Sequence, residues 1–600
     1  MALTPVVICL SRAGEATAHK VAKSLGAQVH GREGRVDVAD AYFPNALDYV
    51  RSLFASGTPV IGVCAAGILI RAVAPVLADK RAEPPVVAVS DDGAVVVPLL
   101  GGHRGANRLA KQISQAIGGV AAVTTAGDIA LGFALDEPPA GYSLANPEDA
   151  KSVMAAMLNG AGARITGEAL FEIAADDNGK VEICVTEASA TGSSERLVYH
   201  PQRFALGLGC ARNADPQEMW DLVEKSLMDA GIAQGSIASV SSIDLKADEA
   251  AIIAVANRLN VPFRLFDAAT LEAEAPRLKT PSDVVFAEVG CHGVSEGAAL
   301  AATDADSTLV IEKQKTATCT CAVARQSVPI TAQKGRARGK LSIIGIGPGQ
   351  HSWRTPEASQ LIAEAQELVG YGLYIDLLGP LAAGKLRSDF PLGGEEDRCR
   401  YALEQAGKGN NVALICSGDA GIYAMGALVF ELLDRGPDAH GVTDAARRVE
   451  VISTPGVSAL QGAAARAGAP LGHDFCAISL SDLLTPREDI VKRLKAAAMG
   501  DFVIAFYNPV SKRRRTLLAE ARDILLQYRP ADTPVMLASS LGRPEENIRY
   551  RNLSELEVDE VDMLTVVLVG SSHSRLAHLG EGPRMFTPRG YARKIDGDLS

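Results

Sequence analysis

The residue types that could do chemistry in this chain gather in a few glycine-punctuated turns. "LSIIGIGPGQHSW" begins at Leu341 and places glycines at 345, 347 and 349. A dinucleotide-binding turn needs Gly-x-Gly-x-x-Gly with the helix opening inside it, so that pyrophosphate meets the helix N-terminus. Here Pro348 removes one N–H donor, and the best helix start falls later, with Thr355 as N-cap and Pro356 at the first helical position. No Gly-Lys-Ser/Thr follows, which excludes a Walker loop. What remains is a backbone that an uncharged or zwitterionic nucleoside can approach closely. "SGDAGIY" suits that: Asp419 at a strand end can accept from an amino group or hydroxyl, and Gly418 and Gly421 leave the main chain bare. Asp419 could equally cap a helix. A third turn, "STPGVSALQG", repeats the pattern.

These turns sit inside a repeated grammar of apolar run, Gly/Ser/Pro turn and helical pattern. Strand–loop–helix alternation predicts a mostly parallel sheet with ligands at the strands' C-terminal ends. After about residue 468 strand-like runs dominate ("DFCAISLSDLL", "DFVIAFYNP", "TPVMLASSLG", "LTVVLVGSS"), which predicts a second α/β lobe and a cleft between two lobes. "QSVPITAQKGRARGK" carries four cations, no acid and two glycines, and reads as a linker. The glycine turn is mid-chain because a second protein starts there. The fold class expected is α/β and multidomain. Residues 1–135 read as an N-terminal and central α/β region, 136–202 as a variable connecting region in which Asn178-Gly179 marks a hairpin, and 203–328 as a further α/β domain. The linker takes 329–340, and 341–590 splits into lobes at about 341–465 and 466–590.

With 600 residues, 47% hydrophobic, 5% aromatic, 57 Gly and 30 Pro, the chain suits several Ala/Val/Leu-rich α/β cores and excludes a fibrous or disordered one. The N-terminal apolar run stops at Leu10 without a basic flank, so neither a secretion signal nor a membrane span is expected and a cytoplasmic protein is. A net charge of −12 argues against nucleic-acid or anionic-membrane partners. The ten cysteines are scattered except Cys319 and Cys321, which on a strand would share one face as small hydrophobes; no metal set is expected.

The stretches from "LSIIGIGPGQHSW" through "ALICSGDAGIYAMG", "ISTPGVSALQGAAARAGAPLGHDFCAISLSDLLTP", "FVIAFYNPVSKRR" and "LTVVLVGSS" closely resemble precorrin-3B C(17)-methyltransferases of the tetrapyrrole methylase superfamily, over about 340–590. That resemblance implies S-adenosylmethionine in the cleft of a two-lobed protein, and C-17 methylation with ring contraction of precorrin-3B or cobalt-factor III. It implies a donor site of Gly347, Pro348, Gly349, Gly418, Asp419, Gly421, Ile422, Tyr423, Thr454, Ser458, Leu480, Tyr507 and Thr565. Ring contraction moves protons, for which His473 and Asp482 are the catalytic candidates, and Asn508 is a substrate contact. A homodimer through this half is expected.

"GILIRAVAPVLADKRAEPPVVAVSDDGAVVVPLLGGHRGANRLA", "FALGLGCARNADPQEM" and "GVSEGAALAA" resemble cobalt-precorrin-5A hydrolase, over about 1–328. This implies lactone opening with release of acetaldehyde. His103, in a loop between a strand and a helix starting near Gly105, stands beside backbone donors and is the candidate catalytic residue, with Arg71, Lys80, Arg104 and Asn107 to pair with the macrocycle's carboxylates. Lys246 and Glu296 are secondary candidates. The alternative is a methyltransferase whose N-terminal half only binds and hands over the corrinoid. A nicotinamide-dependent dehydrogenase, the third reading, is expected to fail for want of the phosphate turn.

Overall fold

The computed structural model describes residues 3–77, 83–124, 133–511 and 514–595. Contacts divide the chain into two units. The first holds everything described up to Leu341, together with Tyr401–Val412 and Arg435–Val451; the second holds Ser342–Arg400, Ala413–Asp434 and everything described from Ile452 on. The architecture is α/β and multidomain, in line with the alternation in the sequence.

The first unit opens on a seven-stranded sheet of order β3-β2-β1-β4-β5-β6-β7, from β1 (Val6–Cys9), β2 (Gln28–Arg32), β3 (Ala41–Phe43), β4 (Val60–Val63), β5 (Val86–Val89), β6 (Val95–Leu100) and β7 (Val120–Ala121). β4 and β5 are buried along their whole length, as expected of parallel strands covered on both faces. Gly62 lets the helix Ala66–Val73 close on the sheet, since a Cβ there would lie 2.7 Å from Leu69. Fully buried Leu69 stabilises that contact by about 2 kcal/mol. β6 runs antiparallel to β5, Leu100 pairing with Val86. The loop after β6 therefore lies at the edge where β4 and β5 begin.

Residues 136–202 form a four-stranded sheet, β8-β11-β10-β9, from β8 (Tyr142–Leu144), β9 (Ala163–Thr166), β10 (Val181–Val185) and β11 (Arg196–Pro201). The hairpin expected at Asn178-Gly179 is overturned. Gly179 N does donate to Asp176 O (2.8 Å), so the turn exists, but β9 and β10 pair in parallel. A tight turn cannot join parallel neighbours, so the whole 167–180 segment serves as the crossover.

The third sheet, β15-β16-β12-β13-β14-β17, comprises β12 (Phe204–Cys210), β13 (Ile237–Ile243), β14 (Phe263–Phe266), β15 (Thr308–Lys315), β16 (Cys319–Arg325) and β17 (Arg336–Ala337). β12, β13 and β14 are parallel, and β16 returns antiparallel beside β12. Cys319 and Cys321 share one buried face of β16, in the same core as Trp220 and Val323. The linker is partly structured: Arg336 and Ala337 pair with Leu265 and Arg264 at the sheet's edge.

The second half begins with β18 (Lys340–Gly345) in a five-stranded sheet, β20-β19-β21-β18-β22, with β19 (Glu367–Gly370), β20 (Leu386–Asp389), β21 (Asn411–Cys416) and β22 (Glu450–Thr454). Thr355 caps the helix Pro356–Glu364 by accepting from Ala358 N. A short ribbon uses β23 (Gly468–Ala469), β29 (Arg575–Leu579) and β30 (Gly582–Phe586). The last sheet, β24-β25-β28-β26-β27, holds β24 (Phe475–Ser479), β25 (Val503–Tyr507), β26 (Pro534–Ser539), β27 (Asn547–Asn552) and β28 (Thr565–Val569); it is mostly antiparallel around the core of Phe506, Leu537 and Val567.

Candidate active sites

In the second unit three loops meet at the C-terminal ends of β18, β21 and β22. Gly347 and Gly418 exchange both backbone hydrogen bonds (3.1 and 2.9 Å). A Cβ on Gly456 would sit 2.1 Å from Gly418 O, so only glycine lets the third loop lie against the other two. Asp419 fastens the convergence. Its Oδ1 accepts from Gly421 N (2.8 Å) and its Oδ2 from Gly456 N (3.0 Å), tying its own loop to the one after β22. It caps no helix. A fourth loop, after β26, braces the first: Arg543 Nε donates to Pro348 O (3.3 Å), and a Cβ on Gly349 would lie 2.6 Å from Leu541 O.

Aromatic residues flank this convergence. Tyr423 donates to Ala477 O (2.8 Å) and its ring stands 5.2 Å from that of Tyr507. Tyr507 Oη accepts from Leu460 N (2.9 Å) and also meets the Ser458 hydroxyl; burial raises its pKa, so it stays a neutral phenol. Ser458 caps the helix Ala459–Ala467 in a reciprocal box with Gln461. Leu480 is buried and its N donates to Tyr507 O (2.9 Å), while Ile422 is exposed. Three non-glycine residues here hold left-handed backbone: Tyr423 (φ 51°), Asn508 (φ 49°) and Ser540 (φ 51°). Such conformations cost about 1 kcal/mol each or more and collect where a site needs a fixed geometry.

The remaining residues expected at the donor and substrate sites are placed as follows. Thr454 ends β22 with its hydroxyl buried and unpartnered. Thr565 is buried and its hydroxyl bonds Asp562 (2.6 Å) and Ser539 (2.7 Å). Asn508 donates to Ser479 Oγ (3.2 Å). Asp482 lies 3.9 Å from Arg514 and 4.0 Å from Arg487. His473 is exposed; its Nδ1 accepts from Asp474 N (2.9 Å). Asp482 and His473 are brought into no common hydrogen-bond network among the described residues.

In the first unit His103 falls in the single turn Gly102–Arg104, but its side chain, like Lys80, lies outside the described residues. Gly101 and Gly105 on either side are left-handed (φ 75° and 91°), and Gly101 packs on Pro85. Arg104 is exposed and Asn107 half-buried on the helix Ala106–Ile117. Arg71 folds back to donate to Gly67 O (3.1 Å). Lys246 pairs with buried Glu249 (3.1 Å), which also takes Arg212. Glu296 is buried and fully used: its carboxylate accepts from Lys279 N, Thr280 N, Thr280 Oγ1 and Lys313 N.

Sequence reasoning passed over the opposite edge of the first sheet. There, β1 is flanked by β2 and β4 and the order of connection reverses, the place where open sheets form a crevice. Cys9 Sγ donates to Ser11 O (3.2 Å), and Ser11 Oγ to Asp91 (3.3 Å). Burial pushes Cys64 up to about 12, so it is an inert thiol. A strand ending in "CLSRAG" before a helix was the available signal.

The family model for tetrapyrrole (corrin/porphyrin) methylases matches residues 340–557. A precorrin-3B C(17)-methyltransferase of Sinorhizobium sp is 43% identical over 255 residues, 42% of this chain and 98% of that protein. The chain belongs to the tetrapyrrole methylases. A probable cobalt-factor III C(17)-methyltransferase of Salmonella typhimurium is 44% identical over 251 residues, 42% of this chain and 99% of the relative. The solved structure of the methyltransferase CobJ covers 42% of the chain and is itself covered fully, at 39% identity and a TM-score of 0.39. This methylase also carries, ahead of its methyltransferase domain, matches to the cobalamin synthesis G N-terminal model over 48–128 and the cobalamin synthesis G C-terminus model over 204–324. It is a methyltransferase fused to those domains. No described helix is long and apolar enough to cross a membrane.

Proposed function

We propose that this chain is a bifunctional enzyme of cobalamin biosynthesis. Its second half transfers a methyl group from S-adenosylmethionine to C-17 of precorrin-3B or cobalt-factor III with ring contraction, and its first half opens the lactone of cobalt-precorrin-5A and releases acetaldehyde. The observation that carries the first activity is the loop convergence at Gly347, Gly418, Asp419 and Gly456. The residues fit the donor: bare backbone lines the convergence, Thr454 offers a buried hydroxyl with no partner, and Tyr423 and Ile422 supply apolar surface beside it. When bound, the donor supplies an electrophilic methyl on a sulfonium. The chain's own part is then to hold donor and acceptor in line, since proximity and orientation dominate such a transfer. Asp419 holds two loops in register, and Tyr507 fixes the start of the helix Ala459–Ala467 through Leu460 N.

Calorimetry on the full chain with S-adenosylhomocysteine tests this: binding is expected, and no uptake overturns the methyl-donor reading. Tyr507→Phe removes one acceptor from Leu460 N, worth about 1 kcal/mol. A roughly five- to tenfold weaker binding is expected in the same titration, and unchanged affinity removes Tyr507 from the site. Gel filtration checks the expected homodimer, a monomer overturning it. Incubating the protein with the cobalt-bearing and the metal-free acceptor, followed by mass, decides which is methylated.

A further inference from the structure

A cavity of about 370 Å³ lies in the first unit where the four-stranded sheet meets the single helical turn Gln234–Ser236. Its wall includes Ser143, Ser189, His200, Gln234 and Gly235, and none of its lining residues is charged. His200 lies within the run of buried residues that fills β11 from Leu197 to Pro201. Its Nδ1 lies 2.7 Å from Thr186 O. A carbonyl only accepts, so Nδ1 carries the proton and Nε2 presents a lone pair. Among the described residues nothing partners Nε2, though the ring lines the cavity. Burial lowers the pKa of His200, which keeps the imidazole neutral near pH 7.

The cavity depends on a missing side chain. A Cβ on Gly235 would lie 2.6 Å from His200 Cδ2 and 2.8 Å from Ser143 Oγ. The Ser143 hydroxyl donates to Gly235 O (2.9 Å), which commits its proton, so Ser143 is not activated by the imidazole. An oriented imidazole with a free lone pair, set in an uncharged polar cavity, is the arrangement of a general base acting on water. With no cation in the lining, a free carboxylate gains nothing there, whereas an uncharged ester carbonyl loses nothing.

We propose that this cavity takes an uncharged cyclic ester and that His200 is the general base for its hydrolysis. The inference rests on the lactone-opening reading of the first half and moves the base from His103 to His200. Nε2 takes a proton from water as the water oxygen bonds to the lactone carbonyl carbon. The tetrahedral intermediate collapses by breaking the ring C–O bond, and the imidazolium returns the proton to the departing alkoxide. The products are one carboxylic acid and one hydroxyl, with water consumed; acetaldehyde leaves in a later step, as the hydroxyl gives up its proton, the bond from its carbon to the macrocycle breaks, and the macrocycle carbon keeps the electron pair and takes up a proton.

The test uses the full chain and cobalt-precorrin-5A, following loss of the lactone by mass and acetaldehyde by a coupled assay. His200→Asn keeps a donor toward Thr186 O, because the amide nitrogen replaces Nδ1, and removes Nε2. The expected result is a lactone-opening rate at least a hundredfold lower, with methyl transfer and the melting curve unchanged. Gly235→Ala keeps the imidazole but sets a Cβ 2.6 Å from its Cδ2, which displaces the ring and narrows the cavity, with at least a tenfold loss expected; it serves if His200→Asn does not fold. Full activity in a folded His200→Asn, or abolition by His103→Ala with His200→Asn active, overturns the inference. A wild-type chain that binds but never opens the lactone overturns the hydrolase reading itself, and is told apart because the variants are then irrelevant to the outcome.

Discussion

Asp419→Asn is expected to slow methyl transfer by about a hundredfold while the chain stays folded. Each carboxylate oxygen of Asp419 accepts from a backbone N–H on a different loop. Hydrogen bonds to a charged group are worth about 1.5–3 kcal/mol each. An asparagine amide keeps one acceptor and turns an N–H toward the other amide, so one bond becomes a repulsive contact. A loss near 3 kcal/mol corresponds to about a hundredfold at 1.4 kcal/mol per decade. Initial rates of methyl transfer and S-adenosylhomocysteine affinity should fall together, since the damage is to the loops that would hold the donor. A rate within threefold of wild type means that the loops do not need this tie.

The second large effect concerns stability. Glu296→Gln should lower the melting temperature of the first unit by several degrees at pH 7, since three amides and a hydroxyl converge on this one buried carboxylate. Burial pushes its pKa up, yet the Lys313, Thr280 and Lys279 amides and the Thr280 hydroxyl outweigh that, and the net shift is downward. A depressed pKa contributes stability above the unfolded value, about 4.3, that is lost as pH falls through the folded one. The gap in melting temperature between wild type and variant is therefore expected to be full at neutral pH and to narrow as the pH falls below the unfolded value. A gap that stays constant down to pH 3 would show that the ionised carboxylate is not what the amides need.

The sequence carried the architecture because its signals were local. Thr355-Pro356 caps a helix through its own side chain, and the continuous apolar runs of β4 and β5 are those of fully buried strands. The glycines at 345, 347, 418 and 456 were legible as bare backbone, but their purpose, letting loops far apart in sequence touch, needed the sheet order. Asp419 shows the same limit: both amides it accepts from lie C-terminal to it, one two residues on and the other thirty-seven. Asn178-Gly179 misled because the dipeptide specifies a turn and says nothing about how the strands beyond it pair. His200 gave no signal, since "VYHPQ" has no motif spacing and its cavity is made by a glycine thirty-five residues later.

The edge strand β17 has a practical bearing on anyone wishing to express the halves separately. Arg336 and Ala337 cover β14, and only Arg338 and Gly339 separate that strand from β18. Arg338 in turn donates to the Arg448 and Val449 carbonyls, within the first unit. A truncation at Val328 would uncover the backbone of Arg264 and Leu265, an open template for self-association, and a soluble fragment is better sought by cutting after Gly339 than where the composition changes.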